Sequence, residues 1–210
     1  MSSVTYPSAP WTLSGSAVAI MRLTPIERIA DQVPSPLSVV LILPGRTLSI
    51  FYIARYAEPS TVQYHECIVA PALVRRGARV GPWISNIYVD SEASMAAGRE
   101  IWGLPKQLAT FDWKWEERGR IAMTHAEVSF ELTSVAARNH WFLPLLGGAF
   151  GTLEPQQKWF SVRGTSRVGK SDGKLWTRST PLTICDFDSA GTIYDLKLRR
   201  LKIGAPIHLR

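Results

Sequence analysis

The chain is poor in the residues that staple or metallate a fold. Only Cys67 and Cys185 occur in 210 residues, without CxxC spacing, which excludes a disulfide scaffold and a zinc ribbon; two buried free thiols are the expectation. Four histidines, at 65, 125, 140 and 208, are scattered. His65-Glu66 opens like an H-E-x-x-H zinc helix, but Val69 stands where the second histidine belongs and the text reads as a strand, so a zinc protease is rejected. No metal or cofactor is expected. No apolar run approaches the ~18–20 residues that span a bilayer. The start, MSSVTYPSAPW, has neither a basic nor an apolar leader region, so the expected location is cytoplasmic with no membrane span.

Charge is also thin, at 20% of residues, and unevenly placed. Residues 1–153 carry 13 basic and 12 acidic groups, residues 154–210 carry 11 and 5. The basic excess of the last quarter is spread through strand-like text without an RNA-binding, zinc-finger or helix-turn-helix pattern. It reads as solvated strand faces, and no nucleic-acid partner is expected. Gly164 to Ser171 matches G-x-x-x-x-G-K-[ST], yet a phosphate cradle requires a helix directly after it. Asp172-Gly173 follows instead, so a hairpin turn is expected there.

What the chain has in quantity is apolar and aromatic residues, 46% hydrophobic with eight tryptophans. That suffices for one core of barrel or sandwich size, and residues 1–210 are read as a single domain. Residues 1–15 are turn-rich, with Trp11 as an anchor. Strands are expected over 16–23, 37–43, 47–56, 61–70, 80–89, 109–115, 120–132, 158–165, 174–180 and 193–201. Phe111, Trp113 and Trp115 alternate with charged residues at the period of a half-buried strand. A helix is expected over 24–32, with Thr24 as N-cap and Pro25 at its first position. Residues 133–156 read as a loop. Successive strands with few helices predict a mainly β (α+β) chain, an antiparallel sheet closed or nearly closed on itself.

The stretch DSEASMAAGREIWGLPKQLA, residues 90–109, stands apart. Asp90 or Ser91 suits an N-cap, Glu92 the positive end of the helix dipole, and Gly103 with Pro105 stops the helix. Lys106 therefore lies just past a helix end, flanked by Trp102, Leu104 and Leu108. Such a lysine either snorkels to water or is desolvated, and desolvation favours the neutral, nucleophilic amine. On the strand through Tyr64 to Ala70, Glu66 shares a face with Tyr64 and Ile68; both faces are largely apolar, so Glu66 needs a buried partner. An arginine such as Arg99 or Arg76 would satisfy it structurally.

The run Gly98-Arg99-Glu100, then Pro105-Lys106, with Tyr64-His65-Glu66 upstream, resembles the acetoacetate decarboxylase superfamily, closely over residues 60–110. The resemblance implies a β-barrel-like core with flanking helices, assembly into homo-oligomers, and a Schiff base between Lys106 and a small β-keto acid or related carbonyl compound, with Glu66 as the second catalytic group and Lys106's partner. Trp102, Leu104, Gln107 and Arg75 are the candidate substrate-binding residues. Three departures stand out: Gln107 replaces a second lysine, a second glutamate is missing from the loop that reads Ala72 to Gly77, and an arginine has no counterpart around Ser14 to Ser16. Burial alone would then have to activate Lys106. These losses leave open a relative that binds an apolar molecule, an isoprenoid or pigment for instance, or catalyses aldol or dehydration steps.

Overall fold

The computed structural model describes residues 4–114, 118–126, 128–135, 137, 139–153, 157–177, 185, 187 and 193–209. Fourteen strands and one α-helix are found among them. Four strands form the spine of the sheet: β1 (Trp11–Pro25), β3 (Arg46–Ala57), β13 (Lys158–Thr177) and β14 (Ile193–His208). Seven more extend it: β2 (Ser38–Val39), β4 (Tyr64–Ala70), β5 (Ala72–Arg76), β6 (Arg79–Trp83), β7 (Asn86–Val89), β8 (Lys106–Leu108) and β12 (Trp141–Gly151). The order is β2-β5-β6-β12-β13-β14-β1-β3-β4-β7-β8. A meander of β9 (Thr110–Lys114), β10 (Arg118–Thr124) and β11 (Ser129–Val135) joins the far end of β13.

The expected closure does not occur. The path ends on β2 and β8, strands of two and three residues that do not pair with each other. Nor is the sheet wholly antiparallel. The helix α1 (Glu92–Glu100) forms the crossover between β7 and β8, which therefore run parallel, and β6 meets β12 in parallel at Trp83 and Phe150.

The central strands are buried on both faces, which is why their text reads as nearly continuous apolar runs. In β3, Phe51 and Ile53 enter one core with Val18, Cys67 and Tyr88, capped by Ile121, Met123, Phe130 and Leu132 of the meander. The alternate residues Ala54 and Tyr56 enter a second core with Trp11, Tyr64, Trp102 and Phe160. Glu66, opposite Ala54 in the ladder, belongs to this second side. A smaller cluster of Ile29, Val74, Trp83 and Phe150 closes the β2 end.

Several expected elements differ. The first strand already begins at the buried Trp11. No α-helix spans 24–32; two 3-10 turns, Ile26–Arg28 and Ala30–Gln32, stand there. Thr24 cannot cap because its hydroxyl is engaged by Ser49 Oγ at 2.7 Å within the sheet, and Pro25 stays extended. The segment 37–43 forms a strand only at Ser38–Val39, with an isolated bridge from Leu43 to Arg46; 80–89 splits into β6 and β7, the turn-like 72–77 holds strand β5 followed by Gly77 at φ +59°, and 120–132 folds into a hairpin. The supposed loop 133–156 contains β12. Its residues 141–149 have β13 on one side only, the edge setting in which Pro144 costs no ladder bond. Gly164 to Ser171 lies inside β13, a continuous strand and not a hairpin turn, and the residues that directly follow it, to Thr177, belong to the same strand. Trp115 and residues 178–180 of the expected strands fall outside the described residues. No helix among the described residues is long and apolar enough to cross a membrane.

Gly15 sits at an irregularity between β1 and β14, with φ +154°, and a Cβ there would lie 2.0 Å from the Arg55 carbonyl oxygen. Backbone on both sides leaves no room to yield. Gly15→Ala is expected to cost about 3 kcal/mol, read as a lower urea midpoint with unchanged slope.

Candidate active site

The site begins with how α1 ends. Ser91 caps the helix, its hydroxyl accepting from the Ser94 N–H at 3.2 Å, and Glu92 occupies the first turn. At the other end the amides of Gly103 and Leu104 return to the carbonyls of Arg99 and Gly98 at 3.2 and 2.9 Å. Gly103 takes φ +65°, open to glycine without strain. Pro105 then leads into β8, where Lys106 pairs with Ile87.

Lys106 does not snorkel; it is 3% exposed. Its stem lies against α1 at Gly98, where a Cβ would stand 2.4 Å from the lysine Cδ. One turn earlier on the same face, Ser94 Oγ accepts a hydrogen bond from Lys106 Nζ at 2.9 Å. The other partner is Glu66, whose Oε2 lies 2.9 Å from the same nitrogen. Glu66 is itself 5% exposed and accepts from the hydroxyls of Tyr56 at 3.1 Å and Tyr64 at 3.2 Å. Tyr56 and Tyr64 are cross-strand partners in β3 and β4, so one register sets both donors around the carboxylate. The ring of Tyr64 also lies under Nζ, 4.8 Å from its centroid.

Burial pushes the phenols of Tyr56 and Tyr64 well above the usual tyrosine value, and the charge of Glu66 pushes the same way. They therefore act as neutral O–H donors. On the opposite face of β4, burial first and Glu66 second raise the Cys67 thiol, which makes it a packing group and not a nucleophile. His65 faces away as well, with Nδ1 2.6 Å from Asp90 and its ring stacked on Phe111. Burial opposes ionisation of Asp90, but hydrogen bonds from the His65 ring and backbone outweigh it and hold the carboxyl below its ordinary value.

Lys106 and Glu66 open onto a cavity of about 410 Å³ walled by residues such as Trp11, Leu13, Trp102, Leu104, Phe160 and Leu198. They are the only charged residues lining it among those described. Met21 and Leu146, 41% and 78% exposed, stand at its rim. Of the expected binding residues, Trp102 and Leu104 line the cavity. Gln107 and Arg75 do not: Gln107 is the next residue along β8 and takes the other face, and Arg75 is exposed on β5 opposite Ser38. Neither arginine weighed as a partner for Glu66 serves it, since Arg99 is exposed and Arg76 donates to Gln157 at 3.1 Å. Ser94 and Tyr56 went unanticipated, and Gly98 entered only as part of the family motif; the i, i+4 spacing of Ser94 and Gly98 was the signal that could have placed both against the lysine. No cluster of three or more metal-ligating side chains occurs among the described residues.

The family model for acetoacetate decarboxylase (ADC) matches residues 2–135. The chain belongs to the acetoacetate decarboxylase family. Solved structures with the acetoacetate decarboxylase fold include the enzyme from Legionella pneumophila, at TM-score 0.75 and 15% identity over 99% of this chain and 90% of that one. The enduracididine biosynthesis enzyme MppR complexed with pyruvate matches at TM-score 0.67 and 13% identity, over 99% and 92%. In sequence, this family member is 28% identical over 174 residues to NEOXANTHIN-DEFICIENT 1 of Oryza sativa subsp. japonica, covering 83% of this chain and 53% of the rice protein. The tomato protein of the same name, from Solanum lycopersicum, is 30% identical over 112 residues, or 53% and 38%. The chain thus spans about half the length, or less, of these curated relatives.

A raised phenol pKa contributes stability that is present below the unfolded value near 10 and is lost as pH rises above it. Alkaline titration followed at 295 nm is therefore expected to leave at least Tyr56 and Tyr64 silent in the folded protein. Their ionisation should appear only together with unfolding.

Proposed function

We propose that the protein is a Schiff-base enzyme of the acetoacetate decarboxylase type, acting through Lys106 on a small keto acid or related carbonyl compound. The observation that carries this reading is an amine withdrawn from water at the wall of an apolar cavity, 2.9 Å from a buried carboxylate. A lysine with no chemical task would gain by reaching solvent. In this reading Lys106 Nζ gives a proton to Glu66 and adds to the carbonyl carbon, and loss of water forms the imine. The protonated imine then draws the electrons of an adjacent bond. For a β-keto acid that bond is the one to the carboxylate; carbon dioxide leaves, the enamine carbon takes a proton, and hydrolysis frees the ketone and the lysine. Ser94 holds Nζ in place, and the ring of Tyr64 supports its positive charge in either form.

Gln107, which stands where the archetype carries its second lysine, lies outside the cavity lining, so this reading draws on the burial of Lys106 and its pairing with Glu66 alone. One neighbour with the same fold is an enzyme complexed with pyruvate, a carbonyl compound, which is compatible with this reading. A second reading, binding of an apolar molecule without turnover, is favoured by the apolar walls and by plant relatives whose name refers to neoxanthin deficiency.

Sodium borohydride added in the presence of carbonyl compounds should fix one ligand mass on the peptide holding Lys106, and Lys106→Met should take up none. Adducts on other lysines only, or none with any keto acid or ketone tried, would exclude the Schiff-base reading.

A further inference from the structure

Within the Schiff-base reading, on which this inference rests, we infer that the cavity takes an uncharged ketone or aldehyde with an apolar body and discriminates against keto acids. The warrant is a census of what the walls offer. Among the described residues the lining holds one cation, Lys106, and one anion, Glu66, already paired at 2.9 Å. Three tyrosines complete its hydroxyl groups, and each is engaged within the wall. Tyr56 and Tyr64 donate to Glu66, and the Tyr52 hydroxyl meets that of Tyr56 at 3.2 Å. The indole N–H groups of Trp11 and Trp102 turn to the backbone carbonyls of Pro7 and Gly204 at 2.9 and 2.8 Å. Beyond the third N–H of Lys106 itself, no side-chain donor of the described lining is left to receive a carboxylate, and Arg75, the arginine expected to bind substrate, is exposed on another strand.

Charge conservation sharpens the point. Condensation of the ammonium form with a neutral carbonyl releases one water and leaves an iminium, so the single positive charge beside Glu66 is the same before and after. A keto acid brings an additional negative charge into the same apolar volume with no second cation to meet it, and an unmatched buried charge is among the costliest things a protein can hold. The volume of about 410 Å³ falls in the range that encloses a whole small ligand. Met21, Leu145 and Leu146 prolong the apolar wall to the rim, offering a path for a hydrocarbon tail.

The test uses matched pairs differing by a carboxylate: 2-pentanone against levulinate, with 2-undecanone and acetoacetate as further probes. Two readouts are taken on the full chain, borohydride trapping at Lys106 and quenching of tryptophan fluorescence in both the native protein and Lys106→Met. The expected result is trapping of 2-pentanone about tenfold or more above levulinate, with 2-undecanone higher still. Acids trapped as well as ketones would overturn the inference and leave the Schiff-base reading standing. Should nothing be trapped, quenching decides: ketones binding at least tenfold more tightly than acids sustains the ligand class while the imine chemistry falls. Equal binding, or none, overturns the inference.

Discussion

Two opposite charges held out of water at the meeting point of a helix end and a strand are the constraint on which this structure depends. A buried lysine or glutamate alone would cost several kcal/mol, so each of Lys106 and Glu66 fixes the position of the other. Every neighbour serves that pairing. Ser94 and Gly98 on one face of α1 give the lysine a partner and a channel for its stem. Tyr56 and Tyr64, opposed across β3 and β4, occupy two further acceptor sites of the carboxylate, one on each oxygen. The crossover from β7 through α1 to β8 is what brings residues 40 positions apart within one hydrogen bond.

The site can be this dry because β1, β3, β4 and β7 separate two cores. One packs under the β9–β11 meander, with the ring of Phe51 against those of Phe130 and Phe187. The other stays hollow around the pair. An open sheet achieves this without becoming a barrel, since α1 covers the β8 end and the Ile29 cluster fills the β2 end. The same backbone arrangement serves relatives as distant as 13–15% in sequence; what a member does is then set by which groups face the hollow.

Local signals made α1 legible from the sequence. The Ser91 cap, Glu92 and the Gly103–Pro105 stop all describe interactions within a dozen residues, and the position of Lys106 followed from them. The burial of Glu66 was legible from alternation, because a strand apolar on both faces leaves a carboxylate nowhere to go. Its partner was reached only through the family resemblance, as no periodicity relates residues 66 and 106. Openness of the sheet was illegible for the same reason: which strands form the edges is decided by long-range pairing. Thr24 and Pro25 show the converse failure. Their pattern is that of a helix start, but Ser49, 25 positions away, captured the threonine hydroxyl. Pro144 and Gly147-Gly148 suggested a loop where an edge strand tolerates them. Arg75 was a candidate substrate-binding residue, and the β5 hairpin carries it to the outside.

The central claim, that Lys106 and Glu66 are one interdependent buried unit, is tested most directly by a double-mutant cycle of folding stability with Lys106→Met and Glu66→Gln. Each single change is predicted to cost about 3–5 kcal/mol by stranding its partner, and the double variant to lose clearly less than their sum. Strictly additive losses would show that the two side chains do not sustain each other and would contradict the account.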